Sequence, residues 1–409
     1  MIATLFNFID WSAIQFSAML MPRADARSAQ KENCHNMKNI IKTLSLPVGL
    51  FLVATNLYAQ PALKDVFKND FLIGAALNPS HFCESDAREA ALVKQQFNAI
   101  TSENALKWES VHPQPGHYDF TLADRYVAFG EKNGMFIVGH TLVWHNQTPD
   151  WVFEDDKRKL VTREVLLQRL RDHIITVVGR YKGRIKGWDV VNEAMNEFGT
   201  LRQSRWMTII GEDYLLKAYQ FAHEADPQAE LYYNDYWLER SLKGKGALAL
   251  IRKLQSQGAK IYAVGLQGHY SLEFPDIARL DTTISEFAKL GVKVNITELD
   301  VDVLPLAPPD SLAAAVFMVF KSSAQLNPYT NGLPDSVQQQ LAHRYSKLFS
   351  TFLRHRSEIN RVTFWGVTDA GSWLNVWPIG GRTNYPLLFD RQCRPKPAFD
   401  SVIHLPTRR

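Results

Sequence analysis

The chain has 409 residues, 46% apolar and 22% charged, with 46 Lys and Arg against 42 Asp and Glu. Those values exclude wholesale disorder, a disulfide-dense miniprotein and a multi-span membrane protein, and a net charge of +4 makes no case for nucleic acid as a partner. At roughly 150 residues per domain, the length allows two or three domains or one elaborated α/β barrel.

In chain order, the first distinctive segment begins at Met37. Lys38 and Lys42 precede an apolar run over 44–54, and small and polar residues follow to Ala59 and Gln60. That order describes a secretory signal peptide, and the run is too short for a membrane span. The expectation is an upstream extension at 1–36, a signal peptide at 37–59, and a mature chain over 60–409 that is secreted or periplasmic, with no membrane association once the signal is cleaved. Cys34 falls in the extension, leaving Cys83 and Cys393. Pairing of these two and two separate thiols are both open.

Eight strand-like runs follow, at 71–77, 97–102, 136–143, 185–192, 230–234, 261–267, 292–297 and 362–367. Turn signals such as Asn133-Gly134, Gln257-Gly258 and Leu290-Gly291 precede several of them. Helical stretches such as 163–181, 213–225, 242–255 and 277–290 intervene, with apolar residues three and four apart. Near-continuous apolar strands alternating with amphipathic helices predict an α/β fold, a single-domain (β/α)8 TIM barrel. A doubly wound open sheet is the alternative; neither a G-x-G-x-x-G nor a P-loop pattern supports it.

In such a barrel the chemistry belongs at the C-terminal ends of the strands, and polar residues gather there. Glu193 and Glu298 stand out, since each ends an apolar strand where a charge is costly to bury alone. The fourth and seventh strands face each other across an eight-membered ring. Two carboxylates opposed over a mouth rich in Trp suit acid/base cleavage of a glycosidic bond. Sugars present apolar C–H faces and a fringe of hydroxyls, matching indoles, amides and charged groups at one site.

The strings Glu103-Asn104-Ala105-Leu106-Lys107-Trp108, Gly139-His140-Thr141-Leu142-Val143-Trp144-His145, Trp188-Asp189-Val190-Val191-Asn192-Glu193, Gly265-Leu266-Gln267-Gly268-His269, Ile296-Thr297-Glu298-Leu299-Asp300 and Phe364-Trp365-Gly366-Val367-Thr368-Asp369 resemble those of the family 10 glycoside hydrolases, the retaining endo-β-1,4-xylanases. The resemblance spans 62–400 in order. It implies double displacement on xylan, with Glu298 as nucleophile and Glu193 as acid/base, their carboxyl groups about 5–5.5 Å apart. By the same resemblance, Asn192 meets the sugar 2-hydroxyl, His269 bonds the nucleophile and Asp300 orients His269. Gln267, His140, Trp144 and Lys107 would line the subsite of the cleaved sugar, with Glu103 and Asn104 reaching the next glycone subsite. Trp365 and Trp373 would form aromatic walls, and Tyr236 would lie on the leaving-group side. The implied partners are xylan and xylo-oligosaccharides, for a monomer with no cofactor and no metal.

Trp188 and Asp189 read as core and supporting residues, Trp108, Trp151 and Trp206 as packing, and His145 and Trp377 as either packing or binding. The chain departs from the family pattern at Trp237, where Asn is usual, and at Cys393, where an aromatic is common. It also carries a Pro-rich elaboration over 304–335. A metal-dependent hydrolase using His140, His145, His269 and Asp300 would need a close His pair or a carboxylate cluster on the first strand, and 71–79 supplies neither. A non-catalytic sugar-binding barrel would have lost part of the Glu193, Glu298, Asn192 and His269 set, which is complete.

Overall fold

The computed structural model describes residues 61–305 and 324–405. The expected extension and signal peptide, Cys34 and most of the Pro-rich elaboration lie outside the described residues.

Among the described residues, eight parallel strands close a ring: β1 (Leu72–Leu77), β2 (Ala99–Ser102), β3 (Phe136–Val143), β4 (Gly187–Asn192), β5 (Glu230–Asp235), β6 (Ala263–Leu266), β7 (Lys293–Asp302) and β8 (Ile359–Phe364). Each pairs with its successor, and β8 returns to β1 with Arg361 opposite Leu72. A principal helix of the outer layer follows each strand, with shorter helical turns such as Pro79–Phe82, Trp108–Val111 and Arg205–Ile210 in the loops: α1 (Ala87–Gln96), α2 (Thr121–Lys132), α3 (Arg163–Arg180), α4 (Tyr214–Ala225), α5 (Ser241–Ser256), α6 (Ile277–Ala288), α7 (Asp335–Arg354) and α8 (Pro397–Ile403). This is the (β/α)8 barrel that the alternating pattern predicts.

Local chemistry sets the boundaries. Asp86 caps α1 by accepting the backbone N–H groups of Arg88 and Glu89, and Thr162 caps α3 through Val165. Ahead of β3, Gly134 turns the chain at φ 62°, a conformation that costs glycine little. The apolar faces of the helices and the outward faces of the strands then merge into one large core running from Leu63 to Ile403.

The barrel interior is separate and small. Val138, Tyr232 and Ala263 form their own cluster with Phe136 against it. The Arg361 guanidinium lies 5.2 Å from the Tyr232 ring centroid and 5.6 Å from that of Phe136, and its Nε donates to Thr363 Oγ1 at 3.2 Å. These side chains close the N-terminal end of the ring. Because side chains on one face of a strand recur every second residue, the next inward positions are His140, Asn234, Gly265 and Thr363. A polar storey therefore stands directly on the plug.

Two strands differ from expectation. β7 continues to Asp302 instead of ending at 297, because Glu298, Asp300 and Asp302 are all buried with partners and do not mark an exposed terminus. β8 occupies Ile359–Phe364, ahead of the expected 362–367, because Arg361 is a buried strand residue that an apolar-run criterion rejects. Cys393 carries a free thiol while Cys83 is disulfide-bonded, so neither the pairing of these two nor two separate thiols holds.

Gly139 lies against the fully buried Trp188: a Cβ there would sit 2.1 Å from the indole. Gly139→Ala is expected to lower stability by about 1–3 kcal/mol, read as a fall in the urea midpoint at unchanged m-value. An unchanged midpoint would show that Trp188 can move aside.

Candidate active site

Three register shifts fall at the C-terminal mouth. They lie between His140 and Val143 on the β3–β4 pair, between Asp189 and Val191 on β4–β5, and between Ile296 and Leu299 on β7–β8. Such bulges bend a strand and re-aim its side chains. Glu298 lies inside the third, and Glu193 directly follows the strand carrying the second.

Glu298 is 5% exposed, so both of its oxygens need donors. Asn234 Nδ2 donates to Oε1 at 2.7 Å, and His269 Nε2 lies 3.0 Å from Oε2. The other nitrogen of His269 is 3.1 Å from both Asp300 oxygens, and Trp373 Nε1 donates to Asp300 Oδ2 at 2.6 Å. Burial works against charge on this imidazole, but Asp300 and Glu298 outweigh it and raise the His269 pKa to about 10. Burial likewise pushes Glu298 upward. The hydrogen bond and charge of His269, with help from His140 and Asn234, overcome it and hold the carboxyl below its usual range.

Glu193 has different surroundings. Its Oε2 accepts the Trp144 indole N–H at 2.9 Å, and its Oε1 accepts Gln267 Nε2 at 3.1 Å and Asn192 Nδ2 at 3.4 Å. All three donors are neutral. The backbone of Glu193 is left-handed, at φ 58°, a strained choice for a residue with a Cβ. Its N–H donates to the Asn234 carbonyl at 2.9 Å and its carbonyl accepts Arg202 Nε at 3.2 Å, fixing the conformation from both sides. The two glutamates share a carboxamide bridge, since Asn192 Oδ1 accepts both Asn234 Nδ2, at 2.9 Å, and Gln267 Nε2, at 3.3 Å.

The remaining expected residues surround this pair. Lys107 Nζ donates to Asn104 at 3.1 Å and lies 4.8 Å from the Trp144 ring centroid. Burial lowers its pKa, opposed by Glu298, Glu103 and Glu193. Burial raises Glu103 to about 7 against the pull of His81 and Lys107. His140 bonds Asp189 at 2.8 Å, and the Trp365 ring meets His140 and His269 edge-on at 5.5 and 6.2 Å. Trp373 packs 4.7 Å from His269 and stacks on Trp377 at 5.0 Å, which joins Trp377 to the same ring cluster. Tyr236 stands apart from the bridge but is linked to it, its hydroxyl accepting from Arg202 at 2.7 Å and donating to Glu197 at 2.5 Å. Trp188, Trp108 and Trp206 are buried packing residues, and Asp189 supports His140.

Sequence reasoning missed four contributors. Asn234 joins the two halves of the site, its carboxamide oriented by Thr297 Oγ1 at 2.6 Å, with room made by Gly265, whose Cβ would lie 2.3 Å from Asn234 Oδ1. Its signal was available as the first polar residue after the apolar part of β5. Arg202 and the fully buried Asp235–Lys243 pair, 2.9 Å apart, hold the chain beyond Glu193, Asp235 also accepting Met195 N–H at 3.3 Å. Arg202 and Lys243 sit in a loop and on a helix, where no periodicity marks them.

An ionised carboxylate held by an imidazolium, facing a second carboxyl held by neutral donors in an indole-lined mouth, is the apparatus of a glycoside hydrolase. The chain belongs to glycosyl hydrolase family 10, whose model matches residues 62–405. Endo-1,4-beta-xylanase A of Xylanibacter ruminicola is 43% identical over 360 residues, taking in 88% of this chain and 97% of its own. A solved GH10 endoxylanase retrieved from a sugarcane soil metagenome superposes with a TM-score of 0.80 at 43% identity, covering 85% of this chain and 100% of that one. The intracellular xylanase of Thermoanaerobacterium saccharolyticum, solved as a variant with xylotriose, gives a TM-score of 0.73 at 37% identity and covers 84% of this chain and 99% of that one.

Because the folded-state pKa of His269 is raised, its contribution to stability is complete below about pH 6.5 and is lost as pH climbs towards about 10. Glu298, lowered, contributes above about pH 4.5 and loses that contribution as pH falls through its folded value. Urea midpoints are therefore expected to decline on the alkaline side, and His269→Gln to flatten that decline. An alkaline slope unaltered in the variant would refute the assignment.

Proposed function

We propose that this protein is a retaining endo-1,4-β-xylanase that cuts internal β-1,4-xylosidic bonds of xylan by double displacement. The observation that carries this reading is the unequal support of the two glutamates: a charged imidazole at Glu298, and an indole and two amides at Glu193.

Glu298, kept ionised by His269, attacks the anomeric carbon. Glu193 gives its proton to the departing glycosidic oxygen, the C–O bond breaks with its electron pair on that oxygen, and a glycosyl ester forms on Glu298. Glu193, now a carboxylate, takes a proton from water as the water oxygen attacks the same carbon from the opposite face, which releases Glu298. The two inversions return the β-anomer. Asn192, which bonds Glu193 and is linked to Glu298 through Asn234, would meet the sugar 2-hydroxyl. Trp144, Lys107, His140, Gln267, Trp365 and Trp373 enclose the cleaved sugar, Glu103 and Asn104 the next glycone residue, and Tyr236 the leaving-group side. Neutral xylose units fit a site that binds through indole faces and hydrogen bonds.

The N-terminal reading joins this proposal: residues 1–36 lie outside the mature protein, 37–59 direct export, and 60–409 work as a monomer in the medium or periplasm. N-terminal sequencing of exported material tests it.

Glu298→Ala is expected to abolish turnover on xylan and on aryl xylosides, a loss of 10⁴-fold or more on the order of that seen when a nucleophile is removed. Glu193→Ala should cripple xylan hydrolysis and spare substrates with activated leaving groups, since those need no proton. NMR of fresh products should show the β-anomer first. Residual wild-type activity in Glu298→Ala, or initial release of the α-anomer, would overturn the mechanism. Activity on cellulose or mannan in place of xylan would overturn the substrate.

A further inference from the structure

On the leaving-group side the chain departs from its family pattern at Trp237, and the structure gives that departure a partner. Trp237 is left-handed at φ 54°, its ring meets Tyr236 edge-on at 5.3 Å, and its carbonyl accepts Arg240 N–H at 2.9 Å in a tight turn after β5. This turn lays the Arg240 guanidinium 3.8 Å from the Trp237 ring centroid, with Phe274 on a further side at 5.4 Å.

Arg240 is exposed and, among the described residues, makes no side-chain hydrogen bond or ion pair. Three other surface arginines differ: Arg163, Arg180 and Arg184 each grip a carboxylate, Asp213, Asp124 and Glu131 in turn. The two acids whose charge reaches Arg240 are engaged elsewhere, Glu197 by the Tyr236 hydroxyl and Glu239 by the Tyr270 hydroxyl. The guanidinium also covers one face of the indole. The rim therefore presents a planar fork of N–H donors in place of a bare aromatic platform, and such a fork is complementary to a carboxylate. Stacking on two rings restricts the side chain beforehand, which reduces the entropy lost on binding.

We infer that Trp237 and Arg240 form a subsite for an acidic branch, so that the preferred substrate is a xylan bearing uronate side groups, with the uronate carboxylate taken by Arg240 on the leaving-group side of the cleavage point. This rests on the xylan reading above and narrows it. The bond it adds is a charge-assisted pair at a partly exposed rim, with a cation–π contact keeping the donor in place.

The test uses the full-length enzyme and three xylo-oligosaccharides of equal backbone length: one linear, one with a single glucuronosyl branch and one with a single neutral arabinosyl branch. In wild type, kcat/KM on the acidic oligosaccharide should exceed that on the linear one, and the excess should shrink as salt is added. Arg240→Ala should lower the acidic-to-linear ratio roughly tenfold, and Arg240→Lys should lower it less, because one point charge replaces the fork. Trp237→Asn should lower the same ratio by freeing the guanidinium. The arabinosyl-to-linear ratio should stay constant throughout. An acidic-to-linear ratio unmoved by Arg240→Ala, or an equal fall on all three substrates, would overturn the inference while leaving the xylanase intact. Failure of wild type to cut even the linear chain would overturn the xylan reading and this subsite with it.

Discussion

A carboxylate taken out of water must be met by donors or lose its charge. At Glu298 that requirement reaches through much of the barrel mouth. His269 can serve one oxygen only if it is held and charged, so Asp300 stands behind it, and Trp373 stands behind Asp300. Asn234 can serve the other oxygen only if its carboxamide is turned the right way, so Thr297 supplies a hydroxyl and Gly265 supplies space. Contributions from the fifth to the seventh strand segments and the loop beyond the eighth are thus fixed by one buried charge. Asn192 and Gln267 extend the same carboxamide network to Glu193.

The backbone meets that demand by being irregular where regular strands would fail. A uniform parallel ring sends successive side chains alternately into the barrel and into the helical layer. The shifts at Asp189/Val191 and Ile296/Leu299 break the alternation at the mouth, and the left-handed turn at Glu193 completes the redirection. Below, the regular part of the ring is closed by Tyr232, Phe136 and Arg361. Rigidity at the floor and irregularity at the rim divide the labour between holding the fold and aiming the chemistry.

Much of this was legible in the sequence, and the limits have physical causes. Strands such as Phe136–Val143 were readable because burial on both faces gives an apolar run interrupted only by His140 and Thr141. The true extent of β7 was not, because Glu298, Asp300 and Asp302 look like an exposed terminus until their partners are known; those partners come from distant segments. Arg361 concealed the start of β8 for the same reason. Glu193, Glu298, Asn192 and His269 could be named from motifs placed at strand ends, whereas Arg202 could not, since its role depends on a loop folding back beneath Glu193. The aromatic-imidazole cluster of Trp108, His112 and His173, stacked with His173 3.6 Å from Trp108, likewise has no sequence period to announce it.

The bond from the Trp373 indole to Asp300 links the indole-lined mouth to the charge that stands behind His269 and Glu298. Indole emission responds to the field along the ring and to what its N–H group touches, so Trp373 is a built-in optical gauge of the relay. Its emission should register sugar contact and the charge on the imidazole in one signal. With ten tryptophans in the chain, the difference in emission between wild type and Trp373→Phe isolates that response.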